Sequence, residues 1–263
     1  MPGLLPFEIV AFGCHLRAAA SCQDGYEVLD RYLFPSLPRL AQSAANPDVS
    51  IEIEKSGDNV CLLLNGTQIA AASQAISLVP HLIHEIDESI VRQLTAVRAV
   101  HAGAVQLGGQ VLLLPGRTHS GKSSMVAELL RRGATYLSDE YALIDAEGRA
   151  HPYPRPLLLR NGNPNQTPLL PQDCHASVAA GPAPIGWIME LQYRESEGWN
   201  VVAVPQSHGL LILLHHTPHV LAEAPDLLDR FQRAAAHARC FTGTRMDAAR
   251  AADEILRLTT LTG

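Results

Sequence analysis

The chain has 263 residues, 47% of them apolar and 17% charged, and carries a formal net charge of −6. That length buries a real core as one large domain or two modest ones, and the composition excludes a disordered chain. The mild acidity, with no long basic run, argues against nucleic acid as a partner.

The first residues lack a basic stretch followed by an apolar core, and no apolar run approaches the roughly 18 residues of a membrane span. The expectation is a soluble, cytoplasmic protein without a membrane partner. The five cysteines, Cys14, Cys22, Cys61, Cys174 and Cys240, are widely spaced with no CxxC pair. They read as free thiols in a reducing compartment.

In chain order, residues 7–20 read as strand and Tyr26–Phe34 as helix. Residues 50–73 alternate apolar and polar side chains around Gly57-Asp58 and Asn65-Gly66, a run of hairpins. Ile76, Val79, Leu82, Ile83, Ile86, Ile90 and Leu94 follow at helical spacing, with the helix proper starting at or after Pro80.

A new unit starts near Val100. Residues 101–115 are two apolar strands joined by Gly108-Gly109, a turn rather than a phosphate loop because no helix follows it. A helix over 122–132 closes at Gly133. Residues 134–145 read as two short strands around Ser138-Asp139-Glu140, and the proline- and asparagine-rich stretch 151–184 as an irregular, functional excursion. Strands are expected at 185–192 and 201–215, then helices near 225–237 and 246–258. Trp187 and Trp199 read as packing residues. His215-His216 and His219 tempt a metal reading, but no further ligand is evident, and a strand end and turn fits better.

Between the second apolar strand and its helix, Gly116-Arg117-Thr118-His119-Ser120-Gly121-Lys122-Ser123 fits GxxxxGK[ST]. Glycines let backbone N–H groups wrap closely around phosphate oxygens, and the helix N-terminus points its positive end at them. Lys122 would reach the β- and γ-phosphates and the Ser123 hydroxyl would ligate Mg2+. Ser124 completes the first helical turn. His119 reads as a variable position facing solvent or the nucleotide edge.

From His101 to Glu140 the chain resembles bacterial HPr kinase/phosphorylase and its shorter HPr-kinase-related cousins, which are similar to phosphoenolpyruvate carboxykinase in their core. His101, in "HAGAV", lies 15 residues before Gly116, and a hairpin leads into the loop. Asp139, in "LSDE", lies 17 residues after Lys122, where the family has an aspartate pair; Glu140 replaces the second aspartate. "HPYPRPLLLR" at His151–Arg160 resembles a proline-rich family segment. The N-terminal region does not match the regulatory domain of HPr kinase, and the stretch that supports phosphorylase activity is not found.

The resemblance implies an α/β fold: a P-loop core at 99–263, like the HPr kinase C-terminal domain and PEP carboxykinase, with a smaller α+β domain at 1–98. It implies ATP and Mg2+ as cofactors and phosphoryl transfer to a serine-type hydroxyl of a peptide or small protein. Asp139 would be the base, His101 its orienting partner, Ser123 with Asp139 or Glu140 the metal ligands, and Arg155 or Arg160 a stabiliser of the transferring group. Related proteins also act as tailoring kinases on ribosomally made precursors such as lasso peptides, and the family allows a homo-oligomer. A small-metabolite kinase and a nucleotide-dependent binding or sensor module remain as alternatives; carboxykinase chemistry would need a second metal site and an oxaloacetate pocket, neither of which the sequence shows clearly.

Overall fold

The computed structural model describes residues 6–34, 37, 40, 46–117, 120–160, 165–219 and 224–261. The chain divides into two units, Met1–Leu94 with Arg160–Pro168, and Thr95–Leu159 with Leu169–Gly263.

The first unit contains β1 (Phe7–Ala11), β2 (Cys14–Ala20), α1 (Gln23–Tyr32), β3 (Val49–Ser56), β4 (Asn59–Leu64), β5 (Thr67–Ala72), a 3-10 turn at Ala75–Leu78 and α2 (Val79–Gln93). Its sheet runs β1-β2-β3-β4-β5, with β2 and β3 parallel and the other neighbours antiparallel. The strand-like run 7–20 is thus two strands with a turn at Phe12-Gly13. In β2, buried and half-buried residues alternate, as a sheet with one core face requires. In α2, Leu82, Ile83, Ile86 and Ile90 are buried at helical spacing, and Pro80 sits in the first turn, where a missing N–H breaks no helical bond.

The second unit contains β6 (Arg98–Leu107), β7 (Gln110–Pro115), α3 (Lys122–Arg131), β8 (Thr135–Ser138), β9 (Tyr141–Ile144), β10 (Arg149–His151) and β11 (Leu157–Leu159). After β12 (Thr167–Leu169) come β13 (Ala183–Tyr193), β14 (Asn200–Val204), α4 (Gln206–His215), α5 (Leu227–Ala235), β15 (Arg239–Arg245) and α6 (Ala248–Leu261). The main sheet runs β10-β9-β6-β7-β13-β15-β14, with β8 also on β6 and β10 also on β13. The strands β7, β13 and β15 are mutually parallel, and β6 pairs antiparallel with β7.

Helices cover both faces of this sheet, and the sequence of β7 shows why. Leu112 and Leu114 pack with Met125, Val126 and Leu129 of α3 and Ile255 of α6, whereas Val111 and Leu113 pack with Ile212 of α4 and Phe231 of α5. A strand buried on both faces needs a continuous apolar run, which VLLL supplies.

The strand expected over 201–215 is corrected: β14 ends at Val204 and Gln206–His215 is helix. Its apolar run carries no helical periodicity, so a short buried strand and a helix look alike in it. The strand β15 between β13 and β14, and the short strands β10 to β12, were not read from the sequence. All five cysteines are free, and all but Cys22 are buried. Among the described residues, no helix is long and apolar enough to cross a membrane.

Candidate functional site

At the end of β7 the chain leaves the sheet, loops, and re-enters as α3. Both ends of the loop are fixed by backbone bonds: the Gly116 N–H donates to the His101 carbonyl (3.2 Å), and the Ser120 N–H to the Arg117 carbonyl (3.1 Å). Gly121 stands immediately before α3 with φ +83°, a left-handed conformation that only glycine adopts without strain. A Cβ there would also sit 2.4 Å from Nη2 of Arg245. Thr118 and His119 lie outside the described residues.

Lys122, the first residue of α3, folds back over this loop. Its Nζ donates to the carbonyls of Gly116 (2.8 Å) and Arg117 (3.1 Å), and the residue is buried. Burial lowers its pKa, opposed by the nearby charges of Glu140 and Asp139. Ser123 is half-buried, whereas Ser124 and Arg117 are exposed. The Arg117 Nη2 lies 3.4 Å from His215 Nε2.

The acids arrive from the β8–β9 turn. Asp139 is buried, and neither carboxylate oxygen has a hydrogen-bond partner among the described residues. Burial raises its pKa; the charge of Arg155 opposes that, Glu140 adds to it, and the Ser123 side chain and the Lys122 charge favour the ionised form. Glu140 holds φ +85°, a strained conformation for this residue and of the kind found where a site demands it. Its carboxylate is hydrogen-bonded to His101 Nε2, which corrects the expectation that His101 orients Asp139: the imidazole orients Glu140 instead. Burial alone would raise the Glu140 pKa, but the His101 bond and charge, with Lys122 and Arg155, outweigh it and hold the group at about 2.

Arg155, flanked by prolines, is buried rather than solvated, and its Nη1 donates to the Asp139 carbonyl (2.8 Å). The Tyr136 hydroxyl in turn donates to the Arg155 carbonyl (2.7 Å). Thus Lys122, Ser123, Asp139, Glu140, His101 and Arg155 are brought together around one loop. Arg160 is not among them: it is exposed and belongs with the first unit.

Two residues that bear on the loop and its neighbours, Arg245 and Glu190, were not singled out in the sequence. Arg245, at the end of β15, is buried and donates from Nη2 to the Ser120 carbonyl (2.9 Å) and from Nη1 to the Met246 carbonyl (2.9 Å). Burial lowers its pKa, although an arginine stays charged in protein. Glu190 of β13 lies 2.7 Å from His216 Nε2, and that contact first, against burial, depresses the Glu190 pKa. The His216 carbonyl accepts the His101 N–H (2.8 Å). The histidine run is therefore the end of α4 and the turn after it. Among the described residues no group of three or more His, Cys, Asp or Glu is arranged to hold a metal by itself. None of these residues could have been found from local spacing, since Arg245 and Ser120 stand 125 residues apart.

No family model and no curated protein matches the sequence. Among solved structures, the chain is similar to the Hpr(Ser) kinase/phosphatase from Coxiella burnetii, with a TM-score of 0.35 and 13% identity, over 63% of this chain and 97% of that one. The residue geometry described above stands apart from that likeness.

Proposed function

We propose that this protein is a P-loop phosphotransferase that moves the γ-phosphoryl group of ATP to a serine-type hydroxyl of a peptide or small protein. The observation that carries this reading is Asp139: a buried carboxylate with two unpartnered oxygens, beside the half-buried Ser123 and electrostatically coupled to Lys122. A buried acid left without donors is unfavourable unless a cation or a proton completes it.

The residues fit Mg2+. That ion takes one or two carboxylates and fills its remaining positions with substrate phosphates and water, so a protein-only cluster of three ligands is not required. Asp139, Glu140 and Ser123 would hold it, and it would neutralise charge on the terminal phosphates.

In this reading Lys122 exchanges its two loop carbonyls for phosphate oxygens. The acceptor oxygen forms a bond to the γ-phosphorus as the bond to the bridging oxygen breaks, releasing ADP, and Asp139 takes the hydroxyl proton. His101 holds Glu140 beside it, and Arg155 supplies positive charge against the acid pair. The peptide contact is assigned to the first unit, where a groove of about 420 Å³ runs between α1 and Ser73–Ile76. A ribosomally made precursor, of the lasso type, is the acceptor this reading favours.

The test is transfer of terminally radiolabelled ATP, with Mg2+, to a peptide-rich extract of the source cell. Label should reach a peptide, and Lys122→Ala should lower transfer by at least about a hundredfold, the order lost with one key electrostatic group. Equal labelling by Lys122→Ala sinks the proposal. Label on a free metabolite without peptide would replace the acceptor class, and Asp139→Asn and His101→Ala at wild-type rates would remove the assigned base.

A further inference from the structure

Beyond the loop lies a half-exposed aromatic side chain held in place by a buried arginine. Tyr193 is the last residue of β13 and is 50% exposed, one of the few large apolar side chains left in solvent. Its position is nonetheless fixed. It pairs in register with Arg245 of the parallel strand β15, and the Arg194 N–H donates to the Arg245 carbonyl (2.9 Å). The Arg245 guanidinium lies over the ring, with Cζ 5.4 Å from its centroid, while the same guanidinium donates to the Ser120 carbonyl. A single buried arginine therefore joins the ring to the loop.

We propose that Tyr193 is the platform on which the base of the bound nucleotide stacks; this rests on the phosphate-binding reading of the loop. Sheet order supports the direction. The acids come from the β8–β9 turn, on the β6 side of β7, whereas Tyr193 and Arg245 come from β13 and β15 on the other side. A nucleotide with its terminal phosphate at Asp139 and its base on the opposite side of β7 would carry that base towards Tyr193. Arginine over an aromatic ring fixes its plane by cation–π attraction, and base–aromatic stacking tolerates any base, so the platform favours nucleotides over bare polyphosphates without choosing adenine over guanine.

The experiment is calorimetric titration of full-length protein with ATP and with inorganic tripolyphosphate, both with Mg2+. For Tyr193→Ala the expected result is about tenfold or greater loss of ATP affinity, with tripolyphosphate affinity within about twofold of wild type. Tyr193→Phe should retain ATP binding, since the ring and not the hydroxyl is used. Unchanged ATP binding by Tyr193→Ala, or an equal loss for both ligands, overturns the platform. Lys122→Ala is the separate control: it should weaken both ligands, and a wild-type protein that binds neither overturns the phosphate reading itself.

Discussion

Asp139 and Glu140 are adjacent in sequence and opposite in their energetics. Glu140 is held at about 2, below the ordinary glutamate value, so its contribution to stability is complete above that ordinary value and is lost as pH falls through about 2. Asp139 is raised by burial, so its contribution is greatest in acid and is lost as pH rises through its raised pKa. Two thermal-unfolding measurements at neutral pH, without nucleotide, follow from this contrast. Asp139→Asn should raise the midpoint by about 2–4 °C, the shift that about 1 kcal/mol gives in a domain of this size, and on the proposed reading it should also abolish transfer. Glu140→Gln should lower the midpoint and flatten its loss in acid. A midpoint lowered by Asp139→Asn would mean that the carboxylate has a partner in the folded state. Much of this site was legible at the residue scale because Gly116–Ser123, His101 and Asp139-Glu140 have fixed spacing along one stretch of chain. Arg245, Glu190 and Tyr193 were not, because strand pairing rather than sequence proximity delivers them.

Among the elements, β6 and α3 meet with no space to spare. A Cβ at Gly103 would lie 2.6 Å from Cγ2 of Val126, which is itself fully buried. Gly103→Ala should therefore destabilise by about 1–3 kcal/mol, the usual range for overpacking a core, as read by urea denaturation. Adding Val126→Ala should recover part of the loss, because the two side chains contend for one volume. Additive losses would place the strain elsewhere. The hairpin β6–β7 and the helix α3 were readable because a turn at Gly108-Gly109 and an ending at Gly133 mark them out. The helix α4 was misread because GLLILL is apolar all round, and only tertiary packing, with Ile212 and Leu213 buried and Leu211 exposed, gives it a face. The strand β15, RCFTGTR, carries too little apolar alternation to announce itself, yet it lies inside the sheet.

Across the second unit, protection should follow the order of the strands. Both faces of β7 are buried, whereas β14 pairs only with β15 and has no fully buried residue. Amide hydrogen exchange should be slowest in β7 and β13 and orders of magnitude faster in β14. Uniform rates across the sheet would show that it opens only as a whole. The apolar strand before the loop and the helix after it were legible in the sequence. The order of the remaining strands was not, because pairing partners lie too far apart in sequence for any local pattern to record them.

The bonds from Lys122 to the Gly116 and Arg117 carbonyls have a consequence for selectivity. The ammonium group already has two carbonyl acceptors in its own loop. An incoming anion must outcompete them, and weakly charged anions such as chloride or acetate gain little by the exchange. A chain of linked phosphates, which can meet lysine, loop amides and helix terminus at once, gains at every contact. On the proposed phosphate-binding reading, this competition would make the loop discriminate by charge density, favouring polyphosphates over the common salts of a cell.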